Sequence, residues 1–346
     1  MLFQPRHAAI ALLIVVLSNL PTCAEAPGEE GDLRTTPTVK LIDVRKIWDQ
    51  APHSAFTDLT YWNGRFVCAF REGRGHVSSD GKIRVLISTD GNAWESAALV
   101  ALTNFDLRDA GLSTTPNDRL MLIGGASPRK SDGDRAPTGS FVSFSDDGHT
   151  WSQPQIVVDP GRWLWRVTWR DGTAYGVAYA APHGHPASSL LAANDGIKYR
   201  ELVPKLLEDG YPTEASIRFD DDGVAYCLQR RDGVPRGNTA MLGAAKPPYT
   251  EWQWTDLGLH FGGPNFMRLP SGHWIVAGRV HHPGGPKTEL AWLDVEKKTL
   301  TPCLELPSGG DTSYPGLVWN DGHLWVSYYS SHEGKASIYV AKVGIK

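Results

Sequence analysis

Proton-exchanging and cationic side chains recur in this 346-residue chain at the ends of short apolar runs. One set stands where such a run begins: His53, Asp58, Asp109, Arg166, Glu214, Asn265 and Tyr314. A second set stands where the following run ends: Arg71, Glu72, Arg74, His76, Asp80, Arg230, Arg231, Arg279, His281 and Glu333. Arginine forks bind carboxylates bidentately. Carboxyl groups hand protons to leaving groups or take them from nucleophiles. A tyrosine, with a pKa near 10 in water, becomes a nucleophile only beside a base. The pattern therefore suits acid–base chemistry on an anionic ligand, provided the fold gathers these ends together.

The elements that would gather them repeat. From about Ala51 the chain writes an apolar run, a Gly turn and a second apolar run, as in "FTDLTYWNGRFVCAF", "RVTWRDGTAYGVAYA" and "GLVWNDGHLWVSYY". Six such hairpin signals follow a period of roughly 40–50 residues, the range of propeller blades. No amphipathic helix interrupts them, so the expected fold is all-β, a six-bladed β-propeller of four-stranded antiparallel blades. Radial closure hides the sheet edges that so many strands would otherwise expose. "TVKLIDVRKIW" is expected to complete the last blade. In that architecture the start of each first strand and the end of each second strand face the same central opening.

A second repeat reads Ser-x-Asp-Gly-x-x-Trp, in "ISTDGNAWES" and "SFSDDGHTWS", with a degraded copy in "AANDGIKYRE". It falls between third and fourth strands. The Asp can bond turn amides, the Gly can take positive φ, and the Trp can plug the outer side of the blade. This is the Asp-box, and with it the chain resembles the bacterial sialidase (neuraminidase) superfamily. The resemblance implies an exo-α-sialidase-like glycoside hydrolase working with retention through a tyrosine nucleophile. Residue by residue, "GDTSYPGLVWN" resembles the segment that carries the nucleophile, Tyr314. "YPTEASIRF…LQRRDG" resembles the segment with the activating Glu214 and a substrate-binding Arg230 or Arg231. "AFREGRGHVSSDGK" resembles the segment with a substrate-contacting Arg74 and the acid/base Asp80. Arg279 is placed for a further carboxylate contact. The chain departs from the family at the opening of blade one, where "HSAFTDL" replaces Phe-Arg-Ile-Pro; Arg71 or Arg166 could compensate. That departure leaves open another acidic glycan as substrate of a hydrolase or lyase, and a non-catalytic glycan- or protein-binding propeller.

Composition narrows the partners. A net charge of −4 and no basic stripe give no support for nucleic acid. No cofactor motif and no metal-ligand spacing stands out; His183, His185, His281 and His282 read as solvated loop residues, and Cys68, Cys227 and Cys303 as small hydrophobes. Residues 1–26 read as an export signal, residues 27–37 as a linker and residues 38–346 as the propeller. The expected location is periplasmic or secreted, with lipid anchoring at Cys23 a poorer match and no transmembrane segment after signal removal.

Overall fold

The structure, a computed structural model, describes Met1 and residues 35–128, 137–181, 187–233 and 239–346. The export-signal reading, Cys23, His183 and His185 lie outside these residues. The chain forms six four-stranded antiparallel sheets arranged as a propeller. The innermost strands are His53–Trp62, Phe105–Thr114, Gly161–Arg170, Pro212–Phe219, Gly262–Arg268 and Thr312–Asn320, opening blades one to six in chain order. Each touches the innermost strand of its neighbours, and blade six returns to blade one. Blade six is completed from the other end of the chain. Val39–Trp48 pairs antiparallel with Ser337–Ile345, and Thr38 and Lys346 exchange backbone hydrogen bonds of 2.6 and 3.0 Å.

Strand periodicity explains the packing. Blades are covered on both faces, so their central strands are near-continuous apolar runs rather than alternating ones; "FVCAF" and "LMLIGG" are fully buried. The core divides into six clusters, one between each pair of adjacent blades, from Leu107 against Val85 to Leu324 against Ile275. At about 1.5–3 kcal/mol for each large apolar side chain fully buried, these interfaces dominate the stability of the ring. Cys68 and Cys227 are buried among them as expected.

The Asp-Gly turns act as fasteners. Asp90 Oδ1 accepts from the amides of Asn92 and Ala93 at 2.8 and 3.0 Å, and the Trp94 indole donates to the Gly91 carbonyl at 3.0 Å. Asp147 and Trp151 repeat this arrangement. Asp195 makes the same two amide bonds with Tyr199 in the tryptophan position. The glycines have φ of 72°, 77° and 68°. They also press on the preceding blade: a Cβ on Gly91 would meet the Trp325 ring of blade six at 2.5 Å, and one on Gly148 would meet Ile87 of blade one at 3.0 Å.

All six innermost strands share one irregularity. Register shifts fall between Ala55 and Asp58, Arg108 and Gly111, Leu164 and Val167, Pro212 and Ala215, Gly262 and Asn265, and Ser313 and Gly316. Each is a β-bulge with two residues facing one, which bends the strand and re-aims its side chains. Bulge residues of the six blades meet around the axis, and they build the site.

Candidate active site

Tyr314 and Glu214 are bulge residues of blades six and four. The Tyr314 hydroxyl donates to Glu214 Oε1, and both residues are buried. Glu214 Oε2 accepts from Arg230 at 2.8 Å and from the Gly263 amide at 2.9 Å. Arg230 reaches it because it is the single residue facing the blade-four bulge, between the pairs Pro212–Arg231 and Ala215–Gln229. Burial pushes the Glu214 carboxyl up, but the Arg230 charge and the Tyr314 and Arg230 hydrogen bonds outweigh it and hold the group ionised. Burial and the Glu214 charge push the Tyr314 phenol well above its ordinary value. The pair is thus an intact phenol donating to a carboxylate, the starting state of a base-assisted nucleophile.

Arg279 lies over the Tyr314 ring at 5.7 Å. Its Nη1 donates to the Thr312 carbonyl at 3.3 Å, and among the described residues its buried Nε has no hydrogen-bond partner. Of the two guanidiniums beside the pair, Arg230 is engaged by Glu214 and by Asp232 at 2.7 Å. Among the described residues Arg279 has no carboxylate partner, so its charge is left to offer. His260 stands on the same side, packed against His281 at 5.3 Å. Burial and the neighbouring Arg230 push His260 down to about 4, so it is a neutral imidazole at physiological pH.

Bulge residues of the first three blades complete a hollow against Tyr314: Phe56, Thr57, Asp109, Ala110, Trp165 and Arg166. Tyr314 packs edge-on against Phe56 at 5.1 Å and against Trp165 at 5.9 Å. Phe56, Asp109 and Tyr314 have φ of 61°, 53° and 54°. Left-handed backbone in a non-glycine residue costs about 1–3 kcal/mol and clusters at functional sites; three such residues line one hollow. Asp109 is buried, accepts from the Trp165 indole at 3.3 Å on Oδ2, and among the described residues has no hydrogen-bond partner on Oδ1. Burial pushes its carboxyl up to about 6, against the pull of Arg108, whose Nε lies 3.7 Å away.

The remaining expected residues sort cleanly. Asp80 pairs with Arg74 at 3.3 Å. Arg74 is exposed, and neither residue has a hydrogen bond or ion pair with Tyr314, Glu214 or Arg230 among the described residues. Burial raises the Asp80 carboxyl, but hydrogen bonds from Ser78 and the Arg74 amide outweigh it and lower its pKa, the wrong direction for a proton donor. Asp109, a strand-start residue given no role above, has the burial that Asp80 lacks. Arg71 is fully buried and spent on Asp106 at 2.9 Å, the Gly75 carbonyl and Ser78, so it ties down the 75–81 loop instead of a ligand. Arg231 points away from Glu214, to Asp209, Asp256 and Thr239, because adjacent strand residues face opposite sides. Arg166 lines the hollow, but Asp58 neutralises it at 2.7 Å and the Pro315 carbonyl takes it at 3.1 Å. Asp109, Arg108 and His260 escaped a motif reading. Their available signal was charge inside an otherwise apolar strand start, "FDLRDAG", and a histidine before a Gly-Gly step.

The overall arrangement has solved counterparts. The chain is similar to a protein of unknown function from Dyadobacter fermentans, at TM-score 0.78 and 19% identity over 90% of this chain and 100% of the other. It is also similar to the GH93 α-L-arabinofuranosidase of Fusarium graminearum solved with arabinobiose, at TM-score 0.69 and 14% identity over 88% and 97%. A third counterpart is the Trypanosoma rangeli sialidase solved with the inhibitor DANA, at TM-score 0.68 and 11% identity over 89% of this chain and 60% of that one. These likenesses show the fold. No family model matches the chain, and no curated protein matches it. Among the described residues no helix is long and apolar enough to cross a membrane.

Proposed function

We propose that this protein is a glycoside hydrolase of the exo-α-sialidase type, releasing a terminal acidic sugar with retention of configuration. The observation that carries the proposal is the Tyr314–Glu214 hydrogen bond, with Arg230 behind it and Arg279 over the phenol. In the first step Tyr314 Oη attacks the anomeric carbon while its proton passes to Glu214. The bond to the leaving oxygen breaks, and that oxygen takes the Asp109 proton. In the second step Asp109, now a carboxylate, takes a proton from water as the water oxygen attacks the anomeric carbon and the bond from that carbon to Tyr314 Oη breaks. Tyr314 then recovers its proton from Glu214. A neutral nucleophile suits a sugar with a carboxylate at the anomeric carbon, because a carboxylate nucleophile would be repelled. Arg279 supplies the matching cation. The proposed substrates are sialoglycoconjugates or another acidic glycan, and the export-signal reading of residues 1–26 supports a periplasmic or secreted location.

The deciding assay is fluorophore release from an aryl α-sialoside by wild type and by Tyr314→Phe. Release by wild type, lost in the variant, supports the proposal; no release, or equal release by both, overturns it.

One observation favours a second reading of the sugar. Phe56 occupies the blade-one bulge, and its ring packs on Tyr314 where the sialidase resemblance implies an arginine. A hydrolase or lyase of another glycan fits that apolar wall, and the structural likenesses include an α-L-arabinofuranosidase. Aryl arabinofuranosides, aryl uronides and acidic polysaccharides run beside the sialoside separate the two. Turnover of one of these with the sialoside inert moves the assignment to it.

A further inference from the structure

Three side chains beside the hollow converge in a way that the tyrosine–glutamate chemistry does not use. His53 opens the innermost strand of blade one, and His76 lies in the loop after Arg65–Gly73. Asp311 directly precedes the innermost strand of blade six. His53 Nε2 is 3.0 Å and His76 Nδ1 2.7 Å from the same oxygen, Asp311 Oδ2. The three donor atoms all lie within 4.8 Å of one another. The carboxylate is fixed from behind. The Tyr329 hydroxyl donates to Oδ1 at 2.7 Å, and the Asp311 amide donates to Ser331 Oγ at 2.8 Å. Packing fixes the imidazoles too: the His76 ring stands edge-on to Phe56 at 5.0 Å and to His53 at 5.8 Å.

Two imidazole nitrogens and one carboxylate oxygen are the donor set of zinc and related divalent first-row metals. A ligand carboxylate in such a site is usually held by its own hydrogen bonds, as Asp311 is by Tyr329. Tyr329 occupies Oδ1, and both histidines converge on the other oxygen, Oδ2, an arrangement that places three donors around one point.

We propose that His53, His76 and Asp311 form a binding site for one divalent transition-metal ion, with zinc the best match. Three protein ligands leave a coordination position for water or for an anionic group of a bound molecule. The Phe56 ring joins the site to the nucleophile candidate, since it packs edge-on against His76 on one side and Tyr314 on the other. A bound ion therefore adds positive charge at the edge of the hollow. Its ligands come from residues 53, 76 and 311, which is why no spacing motif betrays them. A second cluster, His282 with Glu289 and Glu305, lies in blade five. There Lys287 already pairs with Glu305 at 3.0 Å, so that cluster serves as the control.

The test strips the purified protein with a chelator and titrates it with Co²⁺, then with Zn²⁺. The expected result is the visible absorption of low-coordinate Co²⁺, abolished by one equivalent of Zn²⁺ per chain. His76→Ala and Asp311→Asn should weaken Zn²⁺ binding at least tenfold, and His282→Ala should leave it unchanged. His76 is exposed, so its variant is expected to fold; near-ultraviolet circular dichroism checks this. Absence of stoichiometric uptake by wild type, or uptake that folded His76→Ala retains in full, overturns the proposal. No substrate enters the experiment, so it stands or fails apart from the glycosidase reading.

Discussion

Asp109 and Glu214 lie within electrostatic reach of each other, and their carboxyl groups titrate in opposite directions. Burial pushes Asp109 up to about 6, with the Glu214 charge adding to the rise. Burial acts on Glu214 as well, but Arg230 and the Tyr314 hydroxyl pull it below its ordinary value. Two carboxyls driven apart by their surroundings are the usual mark of an acid and a base dividing the work.

A proton donor with a pKa near 6 is active below that pH. The kcat/KM profile of the wild type should therefore fall as pH rises through about 6, and Asp109→Asn should lose that limb. The variant should also lose far more activity on a glycoside with a poor leaving group than on an aryl glycoside, which needs less protonation. Equal losses on the two substrates would remove Asp109 from the acid role.

The same shift has a stability consequence. The folded state binds the Asp109 proton more tightly than the unfolded chain, whose carboxyl titrates at 3.8. Unfolding free energy should drop as pH rises from about 4 to 6, by roughly 3 kcal/mol for about two pKa units. Asp109→Asn should remove that drop and be the more stable protein at pH 8. Denaturant titrations of both proteins at pH 5 and pH 8 measure it.

Tyr314→Phe should keep the fold, since the ring still packs on Phe56 and Trp165. It should lose activity by at least about 10²–10⁴-fold, the range ascribed to a positioned proton-transfer group. Glu214→Gln should lose activity similarly and should also lower the melting temperature, because it breaks a buried, charge-assisted pair with Arg230.

Two arginines should separate structure from binding. Arg71→Met strands the buried Asp106 carboxylate and should destabilise by about 3–5 kcal/mol. Arg279→Met leaves no carboxylate unpaired among the described residues and should raise KM for an anionic substrate with little change in melting temperature. A stable Arg71→Met protein with raised KM would return Arg71 to the site.

Gly91 and Gly322 have similar φ, 72° and 68°. A Cβ on Gly91 would meet Trp325 at 2.5 Å, whereas one on Gly322 meets nothing within 4 Å. Gly322→Ala should cost about 1–2 kcal/mol, the backbone part alone. Gly91→Ala should cost about 1–3 kcal/mol more through overpacking. Equal melting temperatures would mean that the turn is not a fastener between blades.

The blade count, the closing strand and the Asp-Gly turns were legible in the sequence because period-2 strands and Gly turns are local signals. That Tyr314, Glu214 and Arg230 would meet was legible through their segments and the blade order. The choice between Arg230 and Arg231 was not, because a bulge resets which face each strand residue occupies, and bulges leave no reliable mark in sequence. Asp80 and Asp109 are both aspartates near strand ends, and what separates them is burial, a property of the assembled ring. Arg71 resembled a ligand-binding arginine because its partner, Asp106, comes from the next blade. His53, His76 and Asp311 meet only because blade six lies beside blade one.

That adjacency depends on a strand made early and paired late. Among the described residues Val39–Trp48 has no strand partner until Ser337–Ile345 exists, so a chain emerging from its N-terminus carries an unmatched edge through almost all of its synthesis. Closing so long a loop is slow, and His53 with Phe56 on one side waits for Asp311 and Tyr314 on the other. The chemistry of the hollow is therefore assembled last, when blade six closes on blade one.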